Sequence, residues 1–340
     1  MATPATPPML SLNLVSPAIP PEIILKIVQH LPFDTGRDII RLQHVHPRLR
    51  AVLLNYERSL TRTFMRRELS HASTDFPCCA KFGYHCLVEC VRRYDIVDDV
   101  MDALSSRQNC SAVPTYNMAL ANTGLLLLYR VASLDSYKAK LKYIRSLPLD
   151  PLTAIYLTLH HATLTARYHG SGWIHQRTYG RFMDNNQLSL RSELEFCFAE
   201  ACLTLGPEFI SDSLLHWHTK PGAEANFLNF YLDHGTHDWE WPGWGEGEGE
   251  FNPPRVQGPG TKPGSAERSL FTTLLERLAE CAGMSLDEVR ARIEEQTTDP
   301  EHALAWVNLH GKARLMAGRN WDWAEEEGEQ KGGRRDSVHS

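Results

Sequence analysis

Residues 19–60 read IPPEIILKIVQHLPFDTGRDIIRLQHVHPRLRAVLLNYERSL, and the fold of the chain is decided by how this stretch is read. It holds three short helical patterns, each punctuated by its own start or stop signal. In the first, Pro20-Pro21 presets φ for an opening turn, Pro21 serves as first helical residue, and Glu22 places negative charge at the helix N-terminus. Ile23, Ile24, Ile27, Val28 and Leu31 follow at the i, i+1, i+4, i+5, i+8 spacing that gathers apolar side chains on one broad face. Pro32 stops the run, so the spacing predicts a helix over about 21–31. The second pattern opens at Thr35 with Asp38 three residues on, a capping box with Asp in place of Glu, and continues through Ile39, Leu42 and Val45 until Pro47. The third takes Pro47 as its first residue and carries Leu49, Val52, Leu53, Tyr56 and Leu60, with basic residues on the opposite side. It is expected to run on through Phe64, Met65 and Leu69 as a stalk.

Three helices this short cannot each bury so wide a stripe within one small unit, because small domains cover a low fraction of their own surface. Apolar area is left over for a partner. The order Pro20, Glu22, Ile23, Ile24, Ile27 and Leu31, then Asp38-Ile39, Leu42 and Val45, then Arg48-Leu49-Arg50, resembles the F-box, the helical module that docks a Skp-type adaptor in cullin-RING ubiquitin ligases. The resemblance covers about an eighth of the chain. It departs from the family's pattern in the longer connection Pro32-Phe33-Asp34-Thr35-Gly36-Arg37 and in Leu49, which stands where many members carry an aromatic residue. The resemblance implies that Pro20, Glu22, Ile23, Ile24, Ile27, Leu31, Leu42, Val45 and Leu49 lie at or near an adaptor-binding surface. It further implies a substrate-recognition subunit of a Skp-cullin-F-box-type ligase, joined to a cullin through the adaptor and holding an unidentified protein substrate. Stripe spacing alone also allows an adaptor-independent helical scaffold, because apolar stripes on helices are usually core.

Beyond this stretch the patterns remain helical, and the expected class is all-α. After a flexible leader (1–18) and the module (19–60), a helical recruiting region is expected over 61–234. Residues 76–106 read as two helices broken near Tyr94-Asp95, and further helices cover Thr115–Val131, Ser136–Leu147 and a run opened by Pro151. LSLRSELEFCFAEACLTLG from Leu188 forms the strongest of them, stopped by Gly206-Pro207, and two shorter helices follow to Asp233. Residues 235–267 turn Gly/Pro/Glu-rich, can bury little and are expected to be mobile; Trp239, Trp241 and Trp244 stand at their start. C-terminal helices are expected over 268–322: one from Ser269, one opened by the capping box of Ser285 and Glu288, and one opened by Asp299-Pro300. The residues from 323 onward form a polar tail expected to be disordered. No fixed period repeats, which disfavours a solenoid or propeller.

The 340 residues, 42% hydrophobic, leave room for a sizeable core. A formal charge of −6 argues against nucleic-acid binding by bulk electrostatics, and no stretch has the eighteen or so apolar residues of a membrane span. The N-terminus lacks the basic residues of a secretory signal. Scattered cysteines point to free thiols in a reducing compartment, hence cytoplasm or nucleus. Cys78, Cys79, Cys86 and Cys90 lack paired CxxC knuckles, and the strongest metal candidate, His234, His237 and Asp238, competes with a solvated turn. There is no GxSxG elbow, no phosphate loop and no strand-led GxGxxG. The expectation is a polypeptide that catalyses nothing and holds no metal or cofactor.

Overall fold

The computed structural model describes residue 16 and residues 19–31, 36–77, 83–109, 112–176, 188–216, 222–234 and 269–321. Among the described residues all regular structure is helical and no strand occurs. The chain divides into two compact units, Met1–Asp95 and Ile96–Ser340. The leader apart from Ser16, the 235–267 segment with its three tryptophans and with His237 and Asp238, and the polar tail lie outside the described residues, as do Pro32 and Thr35.

In the first unit α1 spans Pro21–Gln29, α2 Arg37–Val45, α3 Pro47–Asn55, α4 Glu57–Glu68 and the short α5 Ala72–Asp75. Pro20 and Pro21 start α1 as their fixed φ dictates, with Glu22 in the first turn. Ile24 and Val28, four residues apart, turn inward. Helix α2 does not begin with the expected cap. It follows Gly36 at φ 67°, without a side-chain cap; a left-handed turn, which glycine adopts at no steric cost, starts it instead. His46 is extended and accepts the Arg48 N–H on Nδ1 at 3.1 Å, so the α2–α3 corner has an imidazole cap followed by Pro47. The expected continuous stalk is interrupted at Tyr56, where φ −109° and ψ 16° end α3 and start α4.

Arg48 donates to the carbonyls of Ser16 and Ile19, and Arg67 on α4 donates to the Gln29 carbonyl at the C-terminal end of α1, where a cation suits the helix dipole. Leu60, Phe64 and Met65 fill the interior. Tyr84 closes it from the far side: its hydroxyl donates to the Leu53 carbonyl at 2.7 Å and its N–H to Glu57 Oε1 at 3.0 Å. Residues 76–106 do not form two helices. Tyr84–Ser105 is one helix, α6, because Tyr94-Asp95 contains no breaker and the Tyr94 hydroxyl finds Asp75 Oδ2 at 2.8 Å.

The second unit is built around α7 (Met118–Ala132) and α9 (Leu149–Tyr168). Around them lie α8 (Tyr137–Ser146), α10 (Leu188–Leu205), α11 (Pro207–Leu215), α12 (Gly222–His234), α13 (Leu270–Ala282), α14 (Leu286–Thr297) and α15 (Leu309–Met316). Helix α9 opens at Leu149, two residues before Pro151, which occupies its first turn where no N–H is needed. Helices α7 and α9 approach closely at Gly124: a Cβ there would stand 2.1 Å from Thr158 Oγ1 and 2.3 Å from the Ala154 carbonyl oxygen. Gly206, at φ 82°, turns the chain from α10 into Pro207 of α11 as its sequence predicts.

Glu200 on α10 is fully buried, yet its carboxylate is well supplied. It accepts the Tyr137 hydroxyl at 2.7 Å and the N–H groups of Leu270 and Phe271 at 3.0 and 2.8 Å. A negative charge thus sits at the N-terminus of α13, where Ser269 also caps. The helix expected from Asp299-Pro300 is absent. Local bonds compete with it: Asp299 Oδ1 takes the Glu301 N–H and His302 Nδ1 takes the Leu304 N–H. The chain passes through turns until Asn308 caps α15 by accepting from Gly311 N–H.

Candidate interaction surface

Helix α1 carries two apolar rows set about 100° apart. Ile24 and Val28 are sealed, while Ile23 and Ile27, one residue earlier in each turn, remain 47% and 40% exposed. Of the other residues expected near a contact, Pro20 and Glu22 are exposed, Leu31, Leu42 and Leu49 are half-buried, and Val45, at the end of α2, is 68% exposed. The structure therefore joins Ile23 and Ile27 in one row and places Val45 on a second helix. Ile24 stands beneath that row and supports it from the core.

Two further residues of this unit, Leu54 and Tyr56, expose large apolar side chains. Leu54 borders a groove of about 410 Å³ at the α2–α3 corner, lined also by His44, His46, Pro47, Arg50 and Ala51. Leu53 and Leu54 are adjacent, so on a helix packed from one side they point about 100° apart and only one of them turns inward. Between residues 19 and 69 nine Lys and Arg stand against five Asp and Glu, in a chain whose formal charge is −6. Arg58, Arg62 and Arg66 form an exposed row on α4 at spacing four. The unit thus offers exposed aliphatic side chains on α1, α2 and α3 and a row of exposed arginines on α4.

One cluster of titratable groups in the second unit ties two of its helices together. Tyr156 on α9 donates to Glu294 Oε1 on α14 at 2.5 Å, His160 Nδ1 lies 3.2 Å from the same oxygen, and Arg290 Nε donates to the Tyr156 hydroxyl at 3.3 Å. Burial alone would raise the Glu294 carboxyl, but its bonds to His160 and Tyr156, with the charges of His160 and Arg290, hold it below the usual carboxylate range. Burial pushes the Tyr156 phenol above its ordinary value. The arrangement is a polar clamp between α9 and α14. Burial also pushes the Cys197 thiol up to about 12 and Cys202 well above its ordinary value, so neither supplies a thiolate near neutral pH.

Among the described residues no three His, Cys, Asp or Glu side chains are grouped to hold a metal ion, and no helix is long and apolar enough to cross a membrane. Comparison of the chain with protein-family models, with curated proteins and with solved structures yields no match. What the fold and its surface define, among the described residues, is an all-helical protein whose first unit exposes aliphatic side chains and arginines.

Proposed function

We propose that this chain is a substrate-recognition subunit of a Skp-cullin-F-box-type ubiquitin ligase, its residues 19–60 docking a Skp-type adaptor and its later helices holding a protein target. The observation that carries this reading is the outward row of Ile23 and Ile27, which belong to the F-box-like sequence pattern and remain uncovered. Val45, from the same pattern, adds a third open aliphatic side chain. Burying a side chain of this size stabilises a complex by about 1.5–3 kcal/mol before the costs of association. The polypeptide contributes position: a target held beside a charged ubiquitin carrier reacts at raised effective concentration without new chemistry.

The test follows from which isoleucines face out. Ile23→Asp combined with Ile27→Asp is expected to abolish co-purification of a Skp-type adaptor while the melting temperature of the full chain stays near that of the parent. Undiminished adaptor capture by this double variant refutes the proposal. The competing reading, an adaptor-independent helical scaffold, rests on the inward row of Ile24 and Val28 and on the bonds by which Arg48 and Arg67 close the unit on itself. It predicts that no Skp-type adaptor co-purifies with the parent chain either.

A further inference from the structure

The turn-rich segment before α15 does something unusual with its largest side chain. It buries Leu304, Ala305 and Val307 but leaves Trp306, between them, 59% exposed. Trp306 also has φ 59°, the single positive value at a non-glycine among the described residues. For an L-residue this conformation costs about 1–2 kcal/mol, so the surroundings must hold it. They do. The Trp306 N–H donates to the Tyr116 carbonyl at 2.7 Å, the Tyr116 hydroxyl donates to the Thr298 carbonyl at 2.7 Å, and the buried Asn117 amide donates to the Thr297 carbonyl at 2.7 Å. The Tyr116 and Trp306 rings stand 6.3 Å apart at 54°. Leu309, three residues on, is 63% exposed, and Met118 is exposed beside Tyr116 in sequence.

The charge of this platform is negative on the turn side. Asp299 and Glu301 are both exposed, tied together by the bond from Glu301 N–H to Asp299 Oδ1 at 2.9 Å. His302, between them and Trp306, has its pKa lowered, chiefly by burial, so it adds little positive charge near neutral pH. Two carboxylates repel a nucleic-acid backbone and attract basic side chains. A tryptophan face attracts the same cations, by about 0.5–1 kcal/mol when exposed and more when desolvated. The main chain at this position is already held by these bonds, so binding need not order it.

We propose that Trp306 and Tyr116, flanked by Asp299 and Glu301, form a docking site for a basic segment of a partner protein, with an Arg or Lys side chain lying on the indole face. The proposal goes beyond the ligase reading and does not depend on it, since every residue involved belongs to the second unit. The probe is a labelled short peptide in which arginine alternates with leucine, titrated by fluorescence anisotropy into the full chain, with a second peptide carrying glutamate in place of arginine.

Trp306→Gly removes the ring and, because glycine adopts positive φ without strain, is expected to leave the melting temperature unchanged or raise it. It is also expected to weaken the arginine peptide about tenfold. Asp299→Lys with Glu301→Lys is expected to reverse the preference between the two peptides. The proposal is overturned if the parent chain binds both peptides alike or neither. It is equally overturned if Trp306→Gly keeps full affinity, or if it lowers the melting temperature as loss of a core residue would. Conversion of a dimer to a monomer by Trp306→Gly, read by sedimentation, identifies the face as a contact between copies and likewise rejects a basic partner.

Discussion

Helices α1 and α9 are both dense in aliphatic residues, yet they use them differently. In α9 every residue from Pro151 to Leu159 is buried, because α7, α10 and α13 all pack against it. In α1 only Ile24 and Val28 are sealed, and two isoleucines of the same turns face outward. Aliphatic content therefore marks a helix as half-buried or enclosed only once its neighbours are counted. The contrast makes a claim about tolerance. Helix α9 and its partner α7 should accept almost no change, whereas α1 should divide sharply between its two rows.

The largest effect belongs to the enclosed pair. Gly124→Val on α7 would drive side-chain atoms into the Thr158 hydroxyl and the Ala154 carbonyl, both closer to a Cβ than any real contact. The backbone of α9 cannot give way without breaking the bond from Thr158 Oγ1 to the Ala121 carbonyl at 3.0 Å. A loss of more than about 3 kcal/mol, or failure to fold, is expected in denaturant titration. A loss below about 1 kcal/mol would show that α7 and α9 are not the rigid centre of their unit.

Within α1 the two rows should separate by stability alone. Ile24→Ala leaves a cavity under the helix and is expected to cost about 2–3 kcal/mol, read by the same titration. Ile27→Ala, on the open side, should stay within about 0.5 kcal/mol of the parent. Equal costs at the two positions would mean that Ile27 is covered within the chain, and the outward row would lose its standing as a contact surface.

The sequence made some of this legible and hid the rest for identifiable reasons. Stops and caps were readable where the chemistry is local: Gly206-Pro207 ends α10, Ser136 and Ser269 cap their helices, and Ser285 with Glu288 opens α14. The stripe on α1 was readable as a stripe, but Ile23 and Ile24 differ by only 100° of rotation within it. Which of them faces inward depends on where α3 and α4 lie, and no local pattern encodes that. Glu200 illustrates the same limit more strongly. Within a helical run it reads as surface charge, and its partners Leu270 and Phe271 arrive from 70 residues away. The helix expected from Asp299-Pro300 does not form because the side chains of Asp299 and His302 bind the backbone in ways a periodicity reading does not weigh.

A smaller effect is carried by pH and again favours the second unit. Glu294 is held below the usual carboxylate range in the folded chain, so on acidification the unfolded chain takes up its proton first. The stability this group contributes is complete above its ordinary value, about 4.3, and is lost as pH falls through the lower folded value. Glu294→Gln should therefore lower the melting temperature at neutral pH, and the gap from the parent should close as the medium becomes acid. A gap that is constant with pH would assign the loss to packing instead of charge.

The smallest effect tests how helices in the two units are started. Helix α1 has no side-chain cap and relies on prolines and on Arg48, which donates to the Ile19 carbonyl just before it. Helix α14 has a capping box: the Ser285 side chain accepts the Glu288 N–H, and the Glu288 carboxylate accepts the Ser285 N–H at 3.4 Å and the Ser285 hydroxyl at 2.9 Å. Ser285→Ala removes that cap at an exposed helix start and is expected to cost about 0.5–1 kcal/mol, at the low end of the range for caps. Ser285→Asp should restore most of the loss, because a carboxylate at the same position accepts the free N–H groups and suits the dipole. If alanine and aspartate behave alike, α14 is held by Val289 and Ile293 packing inward, and its start resembles that of α1 more than its sequence suggests.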